Sequence, residues 1–489
     1  MESARERYAR RLRETTAVSE QVASRQRFMT AVRTILFFVA AAGLIAGYSG
    51  SEPRTLLLLV GWASALGFLI AITVHEYFRI ADVEAKRSNE LYRRLKARTE
   101  RDWESIPGLH GEFPGSALAD DLDLFGSASL WQLLNLGGTP DGRRTLFQWL
   151  ITPPTRDEIR HRQEAVKELR DTPAQRERLV EIISSFSDES DSVSALAAWA
   201  SGPRWLPAHR IVHALSYLGP SLFLAGCIVL VIATAGQVRR EGALSVPVMT
   251  GIGLIAGAFV LNLLVTVTSG SWLHEIFVRI NGRYKQSSRV AEAFDELGGL
   301  AGNSELIRSI RSRAAEGDHS AVNGFRRLRL WIWCANLQRD PLFYIIYLML
   351  QLTVLWDFRI LERLEAWQSK FGSSSRGWFE ALGDCEALIS GATLAEEYPD
   401  WCFPNPLTSP SMRFVAEAMG HPLLKDTQRV TNNVHLESER PLLLVTGSNM
   451  AGKSTLLRAW VLNELLHRIG APVCAKSYQS PIFELATSN

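Results

Sequence analysis

Cysteine is scarce in this sequence. Its 489 residues hold only five, Cys227, Cys334, Cys385, Cys402 and Cys474. They are odd in number, far apart and free of CxxC spacing, so a disulfide framework or a zinc site has no support and reduced thiols are expected. Charge is also in short supply. Charged residues make up 21% of the chain, and 53 basic against 51 acidic side chains leave a net +2. That balance excludes a global polycation that binds nucleic acid by charge alone, so any basic patch is local. No repeat of solenoid length and no DNA- or RNA-reading motif is found. His110, His161 and His209 stand isolated, and Asp120, Asp121 and Asp123 read as a helix-start cluster rather than a metal site. The chain is 47% hydrophobic and, at about 150 residues per domain, long enough for roughly three domains with their own cores.

Apolar residues are unevenly spread. Four runs carry no charge: 34–51, 55–74, 211–238 and 242–273. A helix of about 20 residues covers the roughly 30 Å hydrocarbon core, so these runs predict four transmembrane helices in two hairpins. The first turns at Gly50 to Pro53 and the second near Gln237 to Ser245. His213 and Pro220 lie in the third run, where proline is better tolerated than in other helices. The arginine-rich leader 1–33 and the basic stretch 75–102 place both flanks of the first hairpin in the cytosol, although Arg239 and Arg240 at the second turn run against that rule. The leader is too long and its apolar run too extended for a cleaved signal peptide, so the N-terminus predicts an anchor in the cytoplasmic membrane. A fifth apolar stretch, Pro341 to Trp356, is short and closed by Asp340 and Asp357, which predicts a buried core helix.

Outside these runs the first 400 residues read as all-α. Leu130, Leu133 and Leu134 show helical spacing, Gly137 to Gly142 breaks it, and helices resume at Arg143–Leu150 and Asp157–Leu169 around Thr152-Pro153-Pro154-Thr155. A further break is expected at Gly372 to Ser375. Pro399, Pro404, Pro406 and Pro410 then mark a domain boundary. The expected layout is a basic N-terminus (1–33), a first hairpin (34–75), a basic linker (76–115), a helical core (116–210), a second hairpin (211–273), a helical lever region (274–400) and a C-terminal α/β domain (401–489).

In that last segment Pro441 to Thr446 is an apolar run of strand length leading into Gly447-Ser448-Asn449-Met450-Ala451-Gly452-Lys453-Ser454-Thr455. This is GxxxxGK[ST], and Leu457, Val461, Leu465 and Ile469 behind it are spaced as one helix face ending at Gly470. The two glycines let the backbone curl so that successive N–H groups and the helix N-terminus face phosphate oxygens. Lys453 then reaches the β and γ phosphates of ATP and the Ser454 hydroxyl ligates Mg²⁺.

The run Thr446 to Thr455 closely resembles the phosphate loop of the MutS family of DNA mismatch-repair ATPases, with Asn449-Met450 as the discriminating pair. Gly420-His421-Pro422-Leu423 is similar to the segment that opens that family's ATPase domain, and Gly126 to Arg170 to the start of its helical core. The resemblance covers about 116–489, interrupted by the second hairpin, and is strongest to membrane-anchored MutS-like proteins. It implies a P-loop ATPase domain with ATP and Mg²⁺ as cofactors, a homodimer in which each site is completed by the neighbouring subunit, and possible DNA binding. Ser448 and Ala451 replace the family's Pro and Gly, both small enough for the loop. Where the family stacks an aromatic on adenine, this chain offers Arg429. The mismatch-reading domains have no counterpart. Phe294 fits the F-x-E wedge pattern but sits in an amphipathic helix, so mismatch recognition is not expected. Arg326, Arg327 and Arg329 read as a solvated or headgroup face.

Only 34 residues follow Thr455, so the family's acidic pair, signature loop and catalytic His are missing and the chain reads as truncated within the ATPase domain. Glu464, on the helix, and Glu484, without an apolar strand before it, do not replace the acidic pair. The favoured expectation is a membrane-anchored MutS-like ATP-binding protein. The alternatives are a transport ATPase, which would need more spans and an LSGGQ-like motif, and a non-catalytic nucleotide-sensing scaffold.

Overall fold

The computed structural model describes residues 2–50, 53–106, 119, 122–186, 190–237, 246–281, 284–339, 343–406, 412–439, 442–446 and 452–481. About three quarters of the chain is helical, with one small sheet. It divides into two compact units, Met1–Asn135 with Gly391–Asn489, and Leu136–Ser390.

In the first unit α1 (Ala4–Tyr48) and α2 (Arg54–Glu100) form an antiparallel hairpin. Ser3 and Glu6 close a capping box at its start, and Gly50 takes φ +86° at the turn. The helices meet through small residues. A Cβ on Gly43 would lie 3.0 Å from the Leu57 carbonyl oxygen, and one on Gly47 2.7 Å from the Leu58 side chain. Farther along, His75 Nε2 lies 3.1 Å from Thr30 Oγ1, and Asn89 donates to Thr16 Oγ1 at 2.6 Å. The stretch expected as a basic linker is instead helical to Glu100. Its charges pair along the helix, Arg79 with Glu76 at 2.7 Å, Lys86 with Asp82 at 2.7 Å and Arg93 with Glu90 at 2.8 Å, which offsets their mutual repulsion.

The same unit holds β1 (Met412–Met419), β2 (Asn432–Glu437), α15 (Lys453–Arg468) and β3 (Ser477–Gln479). The sheet order is β2-β1-β3, with both pairings antiparallel. The apolar run of strand length that leads into the GxxxxGK[ST] stretch forms no strand over its described residues, 442–446. Val473 makes an isolated bridge to Cys402, and Leu442 and Leu444 are 84% and 79% exposed with no strand partner. An apolar run becomes a strand only where a neighbour pairs with it, and none of the described residues pairs with this one.

The second unit contains α4 (Pro140–Ile151), α5 (Arg156–Arg170), α6 (Pro173–Ser184), α7 (Ser190–Ser201), α8 (Arg210–Gln237), α9 (Val246–Asn281), α10 (Tyr284–Gly298), α11 (Glu305–Ala315), α12 (Ala321–Ala335), α13 (Tyr344–Val354) and most of α14 (Trp356–Glu397). The remaining helix, α3 (Leu130–Leu134), belongs to the first unit. Four helices, α1, α2, α8 and α9, are long and apolar enough to cross a membrane. Gly226 and Gly251 let α8 and α9 approach, since a Cβ on Gly226 would stand 3.0 Å from the Gly251 carbonyl oxygen.

Three expectations change here. The break at Gly372–Ser375 is absent and α14 runs through it. Gly372 is there because a Cβ would lie 2.3 Å from the Ala200 carbonyl oxygen, so close helix contact, not a turn, requires it. The helix expected from Arg143 starts at Pro140, with Thr139 as N-cap. The run Pro341–Trp356 is not a buried core helix: α13 exposes Ile345 at 68% and Met349 at 58%. Phe294, by contrast, is core. It is fully buried, stacked on Phe325 at 5.3 Å and edge-on to Phe379.

Beneath α4, the Glu386 carboxylate accepts from the Thr139 backbone N–H at 3.2 Å and from its hydroxyl, against Gly142, whose absent Cβ would lie 2.2 Å from Oε2. Burial pushes its pKa up to about 7, above what its hydrogen bonds restore. A raised folded pKa means that the folded state holds the proton more tightly than the unfolded chain. Glu386 therefore contributes stability below pH 4.5 that is lost as pH rises through 7. Relative to a Glu386→Gln variant, the purified protein should lose about 3 kcal/mol between pH 4 and pH 8, at about 1.4 kcal/mol per pKa unit. Denaturant unfolding of both proteins at the two pH values measures this, and a constant difference between them would refute it.

Candidate functional site

The residues expected to hold a nucleotide lie at the N-terminal end of α15. Gly447, Ser448, Asn449, Met450 and Ala451 fall outside the described residues. Gly452 takes φ +74° with open space where a Cβ would stand, and among the described residues no side chain caps the helix. Lys453 is half-buried, and Ser454 and Thr455 are exposed. A helix start without a side-chain cap presents its first N–H groups outward, as an anion requires. The far half of the helix is core: Leu462, Leu465 and Leu466 are buried, and Trp460 stacks on Phe414 of β1 at 4.5 Å. The helix is thus clamped at its C-terminal half, while Ser454 and Thr455 at its start are exposed.

Asn463 ties the Gly420 segment to this helix. Its Nδ2 donates to the Gly420 carbonyl at 2.9 Å and its Oδ1 accepts from the Cys474 N–H at 2.7 Å. From the other side Arg101, at the end of α2, donates to the Pro422 carbonyl at 2.7 Å and to the Tyr398 hydroxyl. His421 is held neutral, its pKa lowered to about 4 by burial and by the cations Arg458 and Arg429. Sequence reasoning singled out Gly420 to Leu423 but missed Asn463 and Arg101. Asn463 sits among apolar neighbours on a buried helix face, a signal in itself, whereas Arg101 was one charge among many.

Arg429, expected as an adenine-stacking group, is committed elsewhere. It pairs with Asp426 at 2.7 Å, donates to the His421 and Leu424 carbonyls at 3.1 and 2.8 Å, and lies over the Trp401 ring at 5.5 Å. This guanidinium braces the 421–429 loop. The adjoining cavity, about 730 Å³, mixes Arg5, Arg101 and Lys425 with Glu100, Asp102 and Glu104, so its lining favours no single sign of ligand charge.

Glu464 is structural. It is 1% exposed and accepts from the hydroxyls of Tyr478 and Ser480, each at 3.0 Å. Glu484 lies outside the described residues. Among the described residues no group of three or more His, Cys, Asp or Glu side chains is placed to hold a metal ion, which covers Asp123; Asp120 and Asp121 are outside them. His110 also lies outside them, His161 pairs with Glu305 at 3.2 Å, and His209 stacks on Trp205. Arg326, Arg327 and Arg329 are exposed.

A chain with four membrane-length helices, a helical body and a small C-terminal sheet carrying one open helix start defines the class. Comparison with known proteins narrows it. No family model matches the chain. Part of the chain is similar to the DNA mismatch repair protein MutS of Leptospira interrogans, 34% identical over 121 residues, which are 24% of this chain and 14% of the relative. MutS of Geobacillus kaustophilus is 33% identical over 109 residues, and that of an Exiguobacterium species 32% over 108. These partial matches support a MutS-related family, and the chain covers only 12–14% of the length of these relatives.

Proposed function

We propose that this protein is a membrane-anchored, MutS-like ATP-binding protein in which α1/α2 and α8/α9 are transmembrane hairpins of the cytoplasmic membrane and the sheet and helical body lie in the cytosol. The observation that carries the reading is the uncapped N-terminus of α15, beginning at Lys453 behind a left-handed Gly452, at the end of Gly447–Thr455. Backbone N–H groups, Lys453 and Ser454 would hold the phosphates and Mg²⁺ of ATP there. A homodimer completing each site across subunits follows from the likeness to MutS, and any DNA binding would be weak, salt-sensitive and indifferent to mismatches.

Glu464 favours a second reading for the chain as it stands. With that carboxylate locked inside, nucleotide would be sensed without being hydrolysed.

The topology has a direct test. Single cysteines placed at Ser51, Gly242 and Ser374 of the membrane-embedded protein should react with an impermeant maleimide outside intact cells only at the first two. Labelling at position 374 would reverse the arrangement. Crosslinking in native membranes should trap a homodimer, and a strictly monomeric protein would remove the shared-site reading.

A further inference from the structure

Eleven residues of α13 reach about 16 Å, half the hydrocarbon core, at 1.5 Å per residue. The helix is too short to cross, yet one side of it is bare and apolar: Tyr344, Ile345, Ile346 and Met349 are 50%, 68%, 51% and 58% exposed. Its polar atoms turn the other way. Asn262, fully buried within the charge-free part of α9, donates Nδ2 to the Leu352 and Thr353 carbonyls at 2.6 and 3.4 Å. Gln351 donates to Thr266 of α9 at 3.0 Å and accepts from the Asp357 N–H at 3.0 Å, and Tyr347 donates to the Asp357 carboxylate at 2.9 Å.

The last carbonyls of a helix ordinarily face water. Capping them with a carboxamide from a membrane-length helix is what a helix end needs where water is absent.

The path of the chain shows where the helix begins and ends. The Trp356 indole N–H donates to the Cys334 carbonyl at 3.1 Å, so the chain leaves α12 and returns to α14 at one level. There α14 turns off at 85° to α13. Its first turns meet the first turns of α8: Arg359 donates to Ser216 Oγ at 2.6 Å, and Glu362 accepts from Tyr217 at 2.6 Å and lies 2.8 Å from His213 Nε2. Charged groups at that depth mark the water boundary, with the aromatic Trp272 and Trp333, 49% and 43% exposed, as interfacial residues.

We propose that Tyr344–Val354 is a re-entrant helix whose apolar side is covered by lipid acyl chains of the cytosolic leaflet, so that the chain dips into the bilayer and returns without crossing. The inference rests on the membrane reading of α8 and α9. It keeps the number of crossings even, so residues after Trp356 stay on the side of those before α8.

The test uses the unmodified full chain in sealed membrane vesicles of one orientation, doped with a phosphatidylcholine that carries a photoactivatable diazirine on its acyl chain. Adducts mapped by mass spectrometry should fall on Ile345, Ile346 and Met349 at a yield within about threefold of Leu224 and Val231 on α8, which face the same hydrocarbon. Val430, 77% exposed and apolar but outside the membrane-length helices, should be unmodified. An impermeant amine-reactive ester should acylate Lys167 and Lys370 from the same side. Adducts on α8 without any on α13 would overturn the proposal alone, showing a water-covered helix. Adducts on α13 with Lys167 and Lys370 on opposite sides would overturn it in favour of a fifth crossing. No adducts on α8 would remove the membrane reading, and the proposal with it.

Discussion

Lys453→Ala is expected to weaken ATP binding about 30- to 150-fold. A hydrogen bond from a charged donor is worth about 1.5–3 kcal/mol, and the ammonium also supplies the local positive charge for two phosphates, which places the loss at about 2–3 kcal/mol. Lys453 is the first residue of α15 and half-buried, while the clamped half of the helix begins about two turns away, at Trp460. The substitution should therefore leave folding intact, and unchanged circular dichroism is the control. Titration with a fluorescent ATP analogue in the presence of Mg²⁺ measures the effect. An affinity within about threefold of the unmodified protein would remove Lys453 from the phosphate site.

ATP turnover by this 489-residue chain is expected to equal that of the Lys453→Ala control. Phosphoryl transfer needs Mg²⁺ held by a carboxylate, a positioned water and charge stabilisation in the transition state. The carboxylate on α15, Glu464, is buried: its Oε2 accepts from Tyr478 and Ser480, and its Oε1 lies 3.4 Å from His467 Nδ1. Freeing it to meet a metal would leave the buried Tyr478 hydroxyl without its acceptor, at a cost of about 1–3 kcal/mol, whereas Ser480 keeps the Pro481 carbonyl at 2.7 Å. Phosphate release in a coupled assay checks this. Turnover that is robust and disappears with Lys453→Ala would show that another carboxylate acts.

Several features were legible because they depend on short stretches of chain. The charge-free runs, the turn at Gly50 and the helix after Gly452 each follow from composition, backbone freedom or periodicity. The strands β1 and β2 also left a local trace: Phe414 and Ala416, like Val434 and Leu436, alternate buried with more exposed positions. Two-residue periodicity marks both stretches in the sequence, whereas the continuous apolar run at 441–446 has strand composition without a partner.

The misreadings share a cause. Leu442–Val445 has the composition of a buried strand, and Gly372–Ser375 that of a loop. Whether a strand forms depends on an unpaired edge beside it, and whether a glycine breaks a helix depends on what packs against it. Arg429 looked available to a base because its own sequence neighbourhood shows no acceptor except Asp426, yet the fold brings the His421 and Leu424 carbonyls to it.

Sequence alone determined which helices are apolar enough for a membrane, where the chain turns, and where a phosphate-binding pattern stands next to a helix, since these are properties of residue order. The tertiary structure decided that Glu464 is a packing carboxylate, that Arg429 braces a loop, that Glu386 is buried under Thr139, and that α13 turns its polar atoms to Asn262 and its apolar side outward. Those outcomes depend on desolvation and on hydrogen-bond partners from 5 to 247 residues away. Burial is a property of neighbours, and neighbours exist only once the chain has folded.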